Sequence, residues 1–241
     1  MLEGDILGTC FAIGDNHFLT AAHVVRDFAG DRDRLLVVGI YNPAGQFIGS
    51  EVVDSESFSL DIALLQLKHP SAGTVSHFQR FRWRSDTLPL LADVQTVGYA
   101  YGMQPKAQGK TILHRAFKGY LVSSPREYLP PSADMAFPAY ELSFSAPRGL
   151  SGSPLFASTV PSHICGVVIG NSESKMLVLD SSETVSLGSA TERVERYESL
   201  SLGLAIRSDA VMELKSRLLG VTLGEHLKDI GLLVDSPSAG G

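Results

Sequence analysis

Cysteine is nearly missing from this chain: two residues among 241, Cys10 and Cys165. So sparse a set excludes a disulfide scaffold and points to a reducing, cytoplasmic setting. Both cysteines lie in apolar, strand-like runs, where a thiol packs as a small hydrophobe. No apolar stretch reaches the length that a bilayer-spanning helix needs. The N-terminus, Met-Leu-Glu-Gly-Asp, lacks a basic region followed by an apolar core, so no signal peptide is expected. Positive charge is not in excess either. The net charge is −6, which disfavours nucleic acid or an anionic membrane as partner. The one dense charge run, Arg26–Arg34, mixes both signs and reads as a solvated loop or short helix. Seven histidines occur without an H-E-x-x-H string or paired ligand spacing, so neither metal nor other cofactor is expected. His17, His69, His77, His114, His163 and His226 read as incidental.

The composition that remains is globular, 44% hydrophobic and 19% charged, on a chain long enough for a substantial core. Short runs rich in Val, Ile, Leu, Phe and Tyr recur at 8–13, 18–22, 35–42, 46–54, 60–68, 93–99, 111–122, 138–145, 164–169, 176–180 and 201–207, with turn residues between them. That spacing favours an all-β barrel or sandwich over a βαβ architecture. The weakly patterned stretch 70–92 reads as the connection between two halves. Residues 208–219, SDAVMELKSRLL, carry a helical apolar stripe after the cap candidates Ser208 and Asp209. A second short helix is expected within 221–235, weakened by Gly224 and Gly231, and 236–241 reads as a linker-like tail. The stretch 172–200 is Ser- and Glu-rich, a lid, a partner-binding loop or an inert excursion.

Three motifs carry chemistry. In Arg148-Gly149-Leu150-Ser151-Gly152-Ser153-Pro154-Leu155 a serine stands between two glycines ahead of an apolar strand. Serine attacks a carbonyl only if a neighbouring base takes its proton, and the resulting oxyanion needs preorganised donors. A tight turn of backbone N–H groups beside the nucleophile can supply them. Alone, the string also reads as a Gly/Ser-rich surface turn. His23 follows a candidate hairpin, in Thr-Ala-Ala-His-Val-Val; alone, it is equally a partly buried histidine. Asp61 opens the apolar run Ile62-Ala63-Leu64-Leu65; alone, it is a polar cap of a strand.

Together the three motifs, in the order His, Asp, Ser, resemble those of the trypsin-like serine peptidases. Leu202-Gly203-Leu204-Ala205-Ile206 with Ser-Asp is similar to the end of HtrA/Deg-type protease domains, so the HtrA-like and other intracellular bacterial branches are the nearest resemblance. The resemblance implies two packed six-stranded antiparallel barrels, about 1–75 and 90–207, closed by the helix at 208–219 within one domain, 1–220. It implies a catalytic triad of His23, Asp61 and Ser151, an oxyanion hole from the N–H groups of Gly149 and Ser151, and substrate pairing along Val168, Ile169, Gly170 and Asn171. The pocket base then falls near Ser145, where no carboxylate is present to favour a basic residue. An apolar or small residue is left as the expected preference, and Arg148 beside the hole either favours nearby acidic groups or is merely exposed. Leu150 departs from relatives activated by N-terminal cleavage, which carry aspartate there. Activity is therefore expected to be constitutive or controlled by a partner or fused domain that orders the 143–150 loop. A protein or peptide is the implied substrate. The alternative is a catalytically silent binding module on the same fold, against which the intact triad stands.

Overall fold

A computed structural model describes residues 6–26, 35–41, 47–68, 79–100, 103–106, 109–112, 114–123, 126–128, 137–159, 162–185 and 190–234. The chain is built on two curled antiparallel sheets. The first has the order β1-β2-β5-β4-β3, from β1 (Phe11–Ala12), β2 (His17–Ala21), β3 (Val37–Tyr41), β4 (Phe47–Ser57) and β5 (Ile62–Leu67). One face of β2 and β5 supplies Phe18, Ala63, Leu65 and Leu67 to a small core with Val25 and Val38. Their other face, with Leu19, Ile62 and Leu64, is buried as well, so these strands read as continuous apolar runs.

The second sheet follows β6 (Trp83–Arg84) and comprises β7 (Asp93–Gly98), β10 (Arg115–Tyr120), β12 (Phe137–Leu142), β13 (Pro154–Ala157), β14 (Ile164–Val185) and β15 (Ala190–Arg207). Its path runs β10-β7-β13-β14-β15-β12, and Leu121, just past β10, bridges Leu142 on β12, so six strands curl back on themselves. A further strand, β11 (Arg126–Tyr128), flanks β12, and β8 (Met103–Lys106) pairs with β9 (Gly109–Ile112) as a separate hairpin. The core of this sheet gathers Val94, Leu121, Tyr140, Leu142, Leu150, Leu155, Cys165 and Val168. A third cluster joins the two sheets through Phe11, Leu19, Ile62, Trp83, Ile164, Val167 and Ile206. Each such side chain taken fully out of water contributes roughly 1.5–3 kcal/mol before the entropy of ordering it is subtracted.

Two expectations meet a different structure. The stretch 172–200 is no loop: β14 and β15 pair from Gly166–Arg207 out to Val185–Ala190, so it forms a two-stranded ribbon continuing the sheet. The helix expected over 208–219 ends early, as α2 (Ser208–Met212), α1 being the single turn Ala22–Val25 after β2. Leu214 and Ser216 are drawn into backbone bonds with Leu223 and Val221, and the Ser216 hydroxyl donates to Glu56 on β4, so the chain turns instead of continuing. The apolar stripe is still satisfied, because Leu214, Leu218 and Leu219 pack on the central cluster from that turn. The short helix expected within 221–235 is present as α3 (Leu223–Asp229). Thr222 and Glu225 form a reciprocal capping box, with the Thr222 N–H donating to Glu225 Oε2 at 2.8 Å and the Glu225 N–H to Thr222 Oγ1 at 3.2 Å. The chain then adds β16 (Leu233–Val234) parallel to β6.

This C-terminal segment straps the two sheets together. The Arg217 guanidinium forks onto Asp54 at 2.7 and 2.9 Å, and its N–H donates to Glu56 at 2.9 Å. The Arg217 bond pulls the Asp54 carboxyl below its usual range. Burial works against ionisation of Glu56, but the Arg217 and Leu218 N–H groups and the Ser216 hydroxyl outweigh it and lower its pKa. Both cysteines are free and sit in different cores. Burial pushes each thiol up to about 12, so neither is a thiolate at neutral pH. Among the described residues no helix is long and apolar enough to cross a membrane. No cluster of three or more His, Cys, Asp or Glu is placed there to hold a metal ion. Most of the charge run Arg26–Arg34, the first part of the 70–92 connection with His69 and His77, and the 236–241 tail lie outside the described residues.

Candidate active site

The end of β2 and the start of β5 are neighbours in the first sheet, with Ala21 opposite Ile62. That pairing brings the residues just beyond them, His23 and Asp61, face to face. Three bonds fix the pair. The Ala22 N–H donates to the Asp61 carbonyl at 2.8 Å, the His23 N–H donates to Asp61 Oδ1 at 2.9 Å, and His23 Nδ1 lies 2.7 Å from Asp61 Oδ2. Asp61 adopts a left-handed backbone to reach this position, φ 57°, which a non-glycine residue takes only when its surroundings hold it there. An ionised carboxylate can only accept, so the Nδ1 proton belongs to this contact, and Nε2 is left as the ring's acceptor. Arg26 stands 3.9 Å from Asp61 on the exposed side, too long and too wet to compete.

Ser151 arrives from the second sheet, in the turn between Leu142 and β13. Leu150 and Gly152 anchor that turn. Leu150 is wholly buried in the second core, and Gly152 has φ 85°. A Cβ on Gly152 would lie 2.1 Å from the Thr9 carbonyl and 2.9 Å from the Ala21 nitrogen, so the Ser151 loop is seated directly on the end of β2, which leads into His23. Gly149, at φ 92°, turns the chain just before the serine. Within the turn Leu150 donates to Pro147 and Ser153 to Leu150, and the Gly152 N–H donates to Val168 on β14. Among the described residues the N–H groups of Gly149 and Ser151 have no partner, which leaves two donors beside the nucleophile for an oxyanion. The Ser151 hydroxyl itself points to the Ile169 carbonyl, at a long 3.4 Å, rather than to His23.

Two residues that the sequence did not single out hold the site. The Thr9 N–H donates to the Ser151 carbonyl at 2.9 Å, its hydroxyl donates to the Gly149 carbonyl at 2.8 Å, and the same hydroxyl accepts from the Tyr99 N–H at 3.0 Å. Thr20 donates to the Thr9 carbonyl at 2.7 Å, which ties this clamp to the His23 strand. Behind the loop, Ser153 and Thr96 share a buried bond of 2.9 Å. A threonine next to a glycine in a strand gives no signal, because its partners lie far along the chain.

The expected substrate residues divide. Val168 is excluded: its side chain is fully buried in the second core, and its backbone groups are bound by Gly152 and Ser153. Past Val168 the edge of β14 that faced β13 has no strand partner among the described residues, so Ile169 and Gly170 present an open edge beside Ser151. Asn171 commits its carboxamide to Ala146. Ser145 is exposed and donates to the Ser201 carbonyl at 2.9 Å, and Arg148 is exposed next to Gly149.

Comparison with known proteins agrees with this architecture. The trypsin-like peptidase domain family matches residues 8–191. Among solved structures, Rv3671c from M. tuberculosis H37Rv, a serine-to-alanine mutant in an inactive form, aligns with TM-score 0.52 and 19% identity over 93% of this chain and 81% of that one. At that identity the likeness speaks for the fold. Deg5 aligns at TM-score 0.49 and 19% identity over 65% of this chain and 69% of that one. No curated protein matches by sequence.

Proposed function

Since the chain belongs to the trypsin-like peptidase family, we propose that it is a serine endopeptidase working through His23, Asp61 and Ser151. The observation that carries this reading is the three-bond lock between His23 and Asp61, because a strained aspartate aimed at one histidine serves no evident packing purpose. In the reaction the Ser151 hydroxyl leaves the weak Ile169 contact, turns to His23 Nε2 and loses its proton as its oxygen attacks the peptide carbonyl. Asp61 stabilises the imidazolium that forms. The oxyanion accepts from the Gly149 and Ser151 N–H groups, each such donor worth about 3 kcal/mol or more in the transition state. His23 then protonates the departing amine, and the acyl-enzyme is hydrolysed by water through the same base.

Substrate adds as a strand to the open edge at Ile169 and Gly170, so backbone pairing gives affinity largely independent of sequence. Leu150 sits in the core where relatives switched on by N-terminal cleavage need a carboxylate, which supports activity without such a cut. Control by a partner or a neighbouring domain acting on the 143–150 loop belongs to the same proposal. The two free cysteines, Cys10 half-buried and Cys165 buried, support a reducing compartment. One observation favours a silent binding module instead: the Ser151 hydroxyl bonds to Ile169 and not to His23. Catalytic bonds are often loose before substrate arrives, so that geometry alone does not decide. Incubation with a panel of unfolded proteins decides. Cleavage is expected from the native chain and lost by several orders of magnitude in Ser151→Ala; equal cleavage by both rejects the assignment.

A further inference from the structure

Three contacts press the segment Phe144–Ala146 onto the β14–β15 ladder beside the nucleophile. The Gly203 N–H donates to the Phe144 carbonyl at 2.9 Å. A Cβ on Gly203 would lie 2.5 Å from that oxygen, so the two backbones touch. The Ser145 hydroxyl reaches the Ser201 carbonyl at 2.9 Å. Asn171, paired with Gly203 in the ladder, turns its carboxamide onto Ala146. Its Nδ2 donates to the Ala146 carbonyl at 2.9 Å, and its Oδ1 accepts the Ala146 N–H at 2.6 Å. Both backbone groups of Ala146 are thereby matched, as a neighbouring strand would match them.

A bound peptide must place one carbonyl carbon at Ser151 Oγ, its oxygen between the Gly149 and Ser151 N–H groups, and its acyl-side chain along the open edge at Ile169 and Gly170. The side chain of the residue that supplies that carbonyl then enters the gap between this edge and segment 145–149. The Asn171 carboxamide spans that gap from wall to wall. We propose that Asn171 is a specificity-determining residue, a bar across the primary pocket that restricts the acyl-side residue to Gly, Ala or Ser. This rests on the peptidase reading and selects among the preferences it leaves open. A larger side chain must displace the carboxamide and leave the N–H and C=O of Ala146, itself buried, without partners.

The test uses the full chain, Asn171→Ala, and peptides that differ only in the acyl-side residue: Gly, Ala, Ser, Leu or Phe. The native chain is expected to cleave the Ala peptide with kcat/KM roughly 100-fold above the Leu and Phe peptides. Asn171→Ala is expected to raise the ratio of the Leu and Phe values to the Ala value about 10-fold or more. Labelling by a broadly reactive fluorophosphonate reports on Ser151 separately. If the native chain is labelled yet cleaves Leu or Phe peptides as well as Ala ones, the bar is refuted and the peptidase reading survives. The same holds if folded, labelled Asn171→Ala keeps the native preference. If the native chain is neither labelled nor active, both fall. Should Asn171→Ala not fold, the native profile alone decides: preference for the Ala peptide supports the bar, and equal cleavage of the Leu and Phe peptides refutes it.

Discussion

Thr9 and Gly149 stand 140 residues apart in the chain, and the Thr9 hydroxyl donates to the Gly149 carbonyl at 2.8 Å. Through this bond and its N–H to Ser151, Thr9, just ahead of β1, holds the Gly149–Ser151 turn of the second sheet. Thr9→Val keeps the shape and removes the hydroxyl, leaving Gly149 O and Tyr99 N–H unmatched. Turnover is expected to fall about 10- to 100-fold through kcat with KM nearly unchanged, because the donors lose their alignment. Stability is expected to fall by about 1–3 kcal/mol. Thr9→Ser should recover most of the rate. A KM effect alone, or no rescue by serine, contradicts this role.

Gly152 combines φ 85° with a close approach to the Thr9 carbonyl. Gly152→Ala brings the left-handed strain of a non-glycine residue, ~1–2 kcal/mol, and a clash with backbone that cannot rotate away. Loss of activity and a melting temperature several degrees lower are expected, read by enzyme assay and thermal unfolding. Native-like values of both would mean that the loop is not seated on the His23 strand as described.

Stability should fall as pH drops. Burial lowers the pKa of His17, with a further push from His226; burial also lowers that of His114, and burial with Arg84 and Arg82 lowers that of His163. Unfolded histidine titrates near ~6.5, so below that pH the unfolded chain binds more protons than the folded one. Stability is therefore full above ~6.5 and lost as pH falls through it. Asp54, Glu56 and Asp86, whose pKa values are lowered, keep their contribution above the ordinary carboxylate range and lose it in more acid solution. Urea midpoints should be level from pH ~8 to ~7 and decline below ~6.5, with part of the first decline absent in His17→Gln. A level profile down to pH ~5 contradicts the assignment.

Leu150 places an apolar anchor where a charge would answer a new N-terminus. A tag fused ahead of residue 1 is expected to leave turnover unchanged, whereas Leu150→Ala should cost about 2–5 kcal/mol of stability and slow catalysis. Activity appearing only after proteolytic trimming of the tag would overturn this.

The candidate site is legible in the sequence because its motifs are local. His23 and Asp61 each end or begin a strongly patterned strand, and Gly149 and Gly152 mark the nucleophile turn. Many strands of both sheets follow from short apolar runs separated by turn residues. What escapes depends on distant partners. Thr9 is ordinary in sequence, and only the fold sets its hydroxyl against Gly149; Asn171 is singled out for substrate pairing, but its bonds to Ala146 are not foreseen. Val168 reads as a pocket residue, yet the β-bulge between it and Gly170 leaves it facing the core. Of the ribbon beyond Asn171 only 176–180 reads as a strand in sequence; pairing with the return strand extends it along the rest. The helix at 208 reads longer in sequence than it is, because Leu214, Leu218 and Leu219 keep a helical spacing while packing from a turn.

Activation of Ser151 by His23, under the hold of Asp61, is the step on which the proposed chemistry depends. Reaction with a fluorophosphonate, followed by mass mapping of the modified peptide, tests this most directly. Modification at Ser151, slowed at least about 100-fold in His23→Ala and strongly in Asp61→Asn, is the predicted result. An unmodified Ser151, or modification that proceeds equally without His23, would contradict it.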